Sequence, residues 1–139
     1  MKDKLLAIFN NNFEIEEDNG RTFLHLPIYK FEDFSPKFII ELKNIDNDYF
    51  VISDIAQTVR GLKEEGVFTE DISVKFNELA AKYRMTIESG AITARFEELE
   101  HIKYFASYMI QFISVISYLA HNQELEEDDE EYFDDDYHE

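Results

Sequence analysis

Residues 104–120 run for seventeen positions without a charge, and residues 124–139 then carry eleven carboxylates with no Lys or Arg among them. The first stretch has to be covered; the second cannot be. A run of like charge repels itself and has too little apolar surface to offset the entropy of ordering, so any packed core is confined to residues 1–123 and a solvated, mobile tail is expected beyond them. Of the 31 acidic residues, 20 precede Glu124 together with all 13 basic ones, which leaves the body at -7 out of a total of -18.

Two features of the tail point beyond solubility. Carboxylates that follow a helix directly lie at the negative end of its macrodipole, where they destabilise it, so helix formation does not account for them. Tyr132, Phe133 and Tyr137 are interleaved with the acids, and aromatic rings suit a docking segment better than a purely solvating one. The residues expected to meet a partner are therefore Glu124, Glu126, Glu127, Asp128, Asp129, Glu130, Glu131, Tyr132, Phe133, Asp134, Asp135, Asp136 and Tyr137.

A chain of 139 residues is one domain's worth, and 45% apolar residues with 13 Phe give the body enough material for a single core. With no cysteine, disulfides, thiolate chemistry and cysteine-based zinc sites are excluded. The apolar stretch after Met1 ends at Asn10, too short for a signal peptide, so a cytoplasmic protein is expected. Residues 104–120 reach the lower limit for crossing a bilayer. They contain Ser107, Gln111, Ser114 and Ser117 and lack a basic cluster on their C-terminal side, which favours a buried or partner-covered helix.

Periodicity divides the body into an α+β domain. Residues 2–9 read as a short helix, and residues 10–21 as a polar connection ending in the turn signal Asn19-Gly20. Strands are expected at about 22–30, 38–43 and 49–53, with Pro27 restricting the first to an edge or a bulge. Asp54 is placed to cap a helix that stops at Gly66, a second helix starts near Ser73, and residues 85–96 form a hairpin through Ser89-Gly90. A long helix follows at about 97–121. Its main stripe is Ile102, Phe105, Met109, Phe112, Ile113, Ile116 and Leu119, but Tyr104, Tyr108, Ile110, Val115 and Tyr118 lie off it. A helix apolar around most of its circumference either is wrapped by its own domain or packs across a homodimer or partner interface.

The body resembles a family catalogued as domain of unknown function 1828, found in phages and low-GC Gram-positive bacteria. The residues that carry the likeness are Thr22-Phe23, the strand Tyr49-Phe50-Val51-Ile52-Ser53-Asp54, then Thr58, Leu62, Gly66-Val67 and the closing helix over 102–119, so that residues 22–120 are covered. The resemblance implies a fold and a phage or mobile-element setting, with no activity to carry over. This chain departs from it at one step. The family's Asp-Gly after Ser-Asp is Ile55-Ala56 here, so a turn needing positive φ is expected to be lost and a helix to begin directly at Asp54.

Few residues suggest chemistry. Glu41-Leu42-Lys43 on a strand, with Asp33 or Asp18 upstream, has the spacing of a Mg²⁺-dependent nuclease, but alternation places Glu41 and Lys43 on a solvent face and the overall charge opposes nucleic-acid binding. His25, His101, His121 and His138 show no metal-ligand spacing, and neither a phosphate-binding loop nor a nucleophile elbow is present. Asp54 and Thr58 read as a helix cap and its first turn. The expected function is a non-enzymatic, cofactor-free acidic protein that mimics nucleic-acid charge at a basic nucleic-acid-binding protein or nuclease, as a phage inhibitor of host defence would. The competing reading is a regulatory or assembly module acting through the helix over 102–119, with the tail serving solubility alone.

Overall fold

Two dipeptides with left-handed backbone set the outer hairpins. Asn19-Gly20 has φ of 51° and 78° and Ser89-Gly90 has 51° and 83°, the pairing that a two-residue turn of right-handed strand twist needs. They hold Asp18 opposite Arg21 and Glu88 opposite Ala91. The computed structural model describes residues 1–9, 14–29 and 37–123. Its strands are β1 (Glu14–Asp18), β2 (Arg21–Tyr29), β3 (Lys37–Ile45), β4 (Tyr49–Ser53), β5 (Thr86–Glu88) and β6 (Ala91–Phe96). The helices are α1 (Lys2–Ile8), α2 (Gln57–Glu64), α3 (Glu70–Lys82) and α4 (Ile102–His121), the last entered through a 3₁₀ turn at Leu99–His101. The fold is α+β, and β4 pairs with β6 so that both hairpin groups join one antiparallel sheet in the order β1-β2-β3-β4-β6-β5.

β1 is the element that the polar sequence concealed. Of Glu14-Ile15-Glu16-Glu17-Asp18 only Ile15 is buried, opposite Leu24, and one inward side chain sufficed to dock the strand. Its acids also discourage another chain from adding to that edge. In β2 the register shifts between His25 and Tyr29, the stretch that contains Pro27, as a residue without an N–H demands.

Leu24, Ile40, Leu42, Ile52, Ile92 and Ala94 alternate onto one face of the sheet and are buried under the helices. From the other side the core receives Leu5 of α1, Val59 and Leu62 of α2, Ile72 and Phe76 of α3 and the buried stripe of α4. Phe112 is its centre, stacked on Phe76 at 5.3 Å and on Tyr83 at 5.9 Å between ring centroids. Full burial of each such side chain stabilises by roughly 1.5–3 kcal/mol. α3 begins earlier than the apolar spacing suggests because the Thr69 hydroxyl accepts from the Ile72 N–H at 3.3 Å, with Glu70 and Asp71 in the first turn complementing the dipole.

By length and composition α4 could cross a bilayer. Its buried positions, Ile102, Ala106, Met109, Phe112, Ile113, Ile116 and Ala120, lie toward β6, α2 and α3. The helix is not wrapped all round, since Tyr104, Ser107, Gln111, Ser114 and Tyr118 are exposed. Phe105 and Leu119, expected in the main stripe, are only half-buried, and Ala106 and Ala120 take the inner places because small residues let the helix approach closely.

The start of α2 corrects the expectation at Ile55-Ala56. The left-handed turn is kept without glycine, with φ of 49° at Ile55 and 62° at Ala56, and the helix begins at Gln57. A β-branched residue in that region is strained, at a cost of order 1–3 kcal/mol. Four successive amides meet that cost. The Ile55 N–H donates to Ser53 Oγ at 3.0 Å, Ala56 to Asp54 Oδ1 at 2.9 Å, Gln57 to the Asp54 carbonyl at 3.1 Å and Thr58 to Asp54 Oδ2 at 3.2 Å. Replacing Ala56 by Gly removes left-handed strain at one residue while loosening the unfolded chain, for a net gain of up to about 1 kcal/mol. Urea unfolding of Ala56→Gly should show a higher midpoint with an unchanged slope.

Candidate functional site

All the residues expected to meet a partner, from Glu124 to Tyr137, lie outside the described residues, as does Asp33. What the structure supplies is their point of attachment. Gln123 Nε2 donates to the carbonyls of Val67 and Ala120, both at 2.8 Å, and the Thr69 hydroxyl donates to Gln123 Oε1 at 2.6 Å. Asn122 Nδ2 donates to the Tyr118 carbonyl at 2.7 Å, and the His121 ring bridges the Ser117 carbonyl and Glu65 at 2.7 and 2.9 Å. The end of α4 is thereby tied to the segment between α2 and α3, and its free carbonyls are capped. The residue before the first acid of the run is fixed to the body.

The sheet face turned away from the helices carries the other candidates. Glu16, Phe23, Glu41, Ser53, Thr93 and Thr86 lie in register across all six strands. In the next row Lys43 pairs with Val51 and Val51 with Arg95, whose guanidinium sits 3.7 Å from the centroid of the Tyr49 ring. Alternation therefore placed Glu41 and Lys43 on the outer face correctly, but the exposure expected of Glu41 is wrong. Glu41 is only 3% exposed, while Lys43 is exposed. Its flanking strand residues Phe23 and Ser53 are half-buried, and Arg21 reaches across to it.

Arg21 Nε donates to Glu41 Oε2 at 2.8 Å and its Nη2 donates to Oε1 at 3.0 Å, a two-pronged pair in which both carboxylate oxygens are occupied. This pair holds the Glu41 carboxyl below the usual carboxylate range, against the desolvation that raises it. The guanidinium also lies 4.9 Å from the centroid of the Phe23 ring. A cavity of about 390 Å³ adjoins Gly20, Arg21, Glu41 and Lys43. Its one buried carboxylate is neutralised by an arginine, the opposite of what a divalent cation needs from a ligand. Among the described residues no group of three or more His, Asp or Glu side chains is placed to hold a metal ion. His25 sits between Glu14 and Glu16 at 3.4 and 3.0 Å, and His101 is exposed beside the Tyr104 ring.

Thr58 lies in the first turn of α2 as expected, and Asp54, expected at the cap, instead precedes the cap residue Ala56 while its carboxylate accepts from the Thr58 N–H; Asp54 does more. Its backbone N–H donates to the Ile92 carbonyl at 3.0 Å while its Oδ1 accepts from the Ile92 N–H at 2.8 Å. One residue thus joins β4, the start of α2 and β6. Burial holds its carboxyl above the usual range, opposed by the Thr58 hydroxyl and by the N–H groups of Ile92, Thr58 and Ala56, which favour the ionised form. The Thr58 oxygen is itself buried without meeting hydrogen-bond geometry to any partner. The role of Arg21 was missed from sequence, although the Asn19-Gly20 turn followed by an alternating strand was the signal that could have placed it beside the sheet's acids.

A second cavity of about 540 Å³ lies between α1 and the entry to α4, lined by Lys4, Ile8, Phe50, Glu98 and Leu99 among others. Neither cavity brings together a nucleophile, a base and an electrostatic partner. No family model, no curated protein and no solved structure matches the chain.

Because the folded-state carboxyl of Glu41 titrates below its unfolded value, its contribution is present above the unfolded pKa and is lost as pH falls through the folded one. With the Arg21 side chain 55% exposed, screening by water limits the effect. Glu41→Gln should cost about 1–2 kcal/mol near neutral pH. The gap between variant and parent should close as unfolding is measured at successively lower pH through the carboxylate range.

Proposed function

We propose that this chain is a non-enzymatic interaction protein whose acidic terminus occupies a positively charged nucleic-acid site on a DNA-handling protein, as a phage inhibitor of a host defence nuclease would. The observation that carries this reading is the abruptness of the charge boundary: eleven carboxylates in sixteen residues, beginning immediately after a residue that the body holds through three hydrogen bonds. Sixteen extended residues reach roughly 55 Å, so the run presents about one charge per 5 Å, against about one per 3.4 Å along a single DNA strand. A basic groove that gives up its own bound anions, or DNA, to such a run gains the same ion-release term as it does on nucleic acid. The rings of Tyr132, Phe133 and Tyr137 take the place of stacked bases against the groove.

The commitment of Glu41 to Arg21 supports this reading over a Mg²⁺-dependent nuclease, since freeing the carboxylate would leave the arginine without its acceptor. The phage setting rests on the resemblance over residues 22–120, and a cytoplasmic location is proposed from the short apolar stretch after Met1 and the absence of cysteine.

The test is capture of host proteins on the tagged full-length chain, eluted by a salt gradient, beside a chain ending at Gln123. Truncation leaves this core intact because, among the described residues, every buried hydrophobic side chain lies between Leu5 and Ala120. The captured protein should be a DNA-binding one, released at moderate salt, competed by duplex DNA and lost with the truncation. Capture that ignores salt and survives removal of residues 124–139 would refute the mimicry.

A further inference from the structure

The cavity between α1 and the entry to α4 has a lining that the core does not require. Its volume, about 540 Å³, is in the range of sites that enclose a small ligand or the end of a partner's side chain. Ile8 of α1, Phe50 of β4 and Leu99 of the 3₁₀ turn give it a half-buried apolar wall. Phe50 is stacked on Phe96 at 5.7 Å between ring centroids, so the core uses one face of the ring and the cavity meets the rest of it. Glu97, Glu98 and Glu100 complete the lining from the solvent side, all three exposed.

Those three carboxylates are not engaged inside the chain. Acids at a helix start often cap it, but neither the 3₁₀ turn nor α4 has a side-chain cap. Among the described residues none of the three forms an ion pair, although Lys4 lines the same cavity. Three carboxylates against one ammonium leave the lining negative, beside an aromatic ring that also attracts cations.

We propose that this cavity receives an arginine side chain of a partner protein, its guanidinium against Phe50 and its N–H groups directed to Glu97, Glu98 and Glu100. The combination of ring and carboxylates selects the cation. An ammonium is compact and strongly hydrated, whereas a guanidinium is planar, weakly hydrated, stacks on aromatic faces and offers a fork of donors that matches carboxylates. The aliphatic stem of the arginine lies along Ile8 and Leu99, as such stems do on apolar surface. Met1 and Asn44 line both this cavity and the smaller one beside Arg21, so the depression continues past the side chain and accommodates the backbone that carries it. That continuity favours a protein segment over a free amine. The site is at the start of α4, roughly 30 Å along the helix from Gln123, and it stands whether or not the acidic terminus mimics nucleic acid.

Heteronuclear NMR of the full chain, titrated with acetyl-Gly-Arg-Gly-amide, tests the proposal residue by residue, since the guanidinium is the only charge on that peptide. Resonances of Phe50, Glu98 and Leu99 should shift together and saturate. The lysine peptide should bind at least about threefold more weakly, and the citrulline peptide, an uncharged isostere, should leave these resonances in place. Combining Glu97→Gln, Glu98→Gln and Glu100→Gln should lower the affinity at least about tenfold, while Lys4→Glu should raise it about two- to fivefold. All four side chains are exposed, and the amide spectrum of each variant reports directly that it stays folded. Shifts confined to residues 124–139, equal binding of the lysine peptide, or an affinity indifferent to the triple substitution would each overturn the proposal. The first of these outcomes would leave the charge-mimicry reading standing, so the two fail separately.

Discussion

The structure depends on the joint at Asp54. Strands β1 to β4 and the β5-β6 hairpin are separated in sequence by α2 and α3, and they become one sheet because β4 pairs with β6. Asp54 closes that pairing at the point where the chain leaves the sheet, exchanging bonds with both backbone groups of Ile92 while its carboxylate holds the first amides of α2. Taking a carboxylate out of water is expensive, and hydrogen bonds to a charged group return about 1.5–3 kcal/mol each. Three backbone donors, the N–H groups of Ala56, Thr58 and Ile92, oppose the burial that raises the carboxyl, in a place where no basic side chain among the described residues contributes. Their geometry also explains why the strained Ile55 and Ala56 survive: the turn must double back sharply to present Ala56 and Thr58 to one side chain.

Once the sheet is whole, its two faces diverge. One is sealed by helices through alternating aliphatic residues. On the other, Glu41 is sequestered by Arg21 while Lys43 and Arg95 remain outside. A pattern that at first resembles a nuclease strand is an ion pair that stabilises the centre of the outer face. Eleven of the chain's 31 acidic residues follow at the end, beyond an α4 whose last turn is anchored to the body.

Legibility followed the range of the forces involved. Turns at Asn19-Gly20 and Ser89-Gly90, the hairpin from β3 to β4 and the long final helix were readable because each is set by neighbours in sequence. β1 was not, since it is held by a single apolar contact of Ile15 and by pairing with a strand that had first to be placed. The expectation that alternation would leave Glu41 in water failed for the same reason. Burial of a charged side chain depends on a partner from another strand, and Arg21 sits twenty residues away. At Ile55-Ala56 the expectation of a helix beginning at Asp54 failed because the Asp54 side chain, held by the distant Ile92 N–H, accepts from the Ala56 and Thr58 amides across a left-handed turn.

By itself the amino-acid order determined the α+β composition and the concentration of negative charge after residue 123, because hydrophobic period and charge density are properties of adjacent residues. Only tertiary structure decided that two hairpin groups form one sheet, that Glu41 is neutralised, and which positions of the last helix face outward. Those outcomes rest on pairings between distant segments, and a distant partner's identity is not written in the local pattern that it completes.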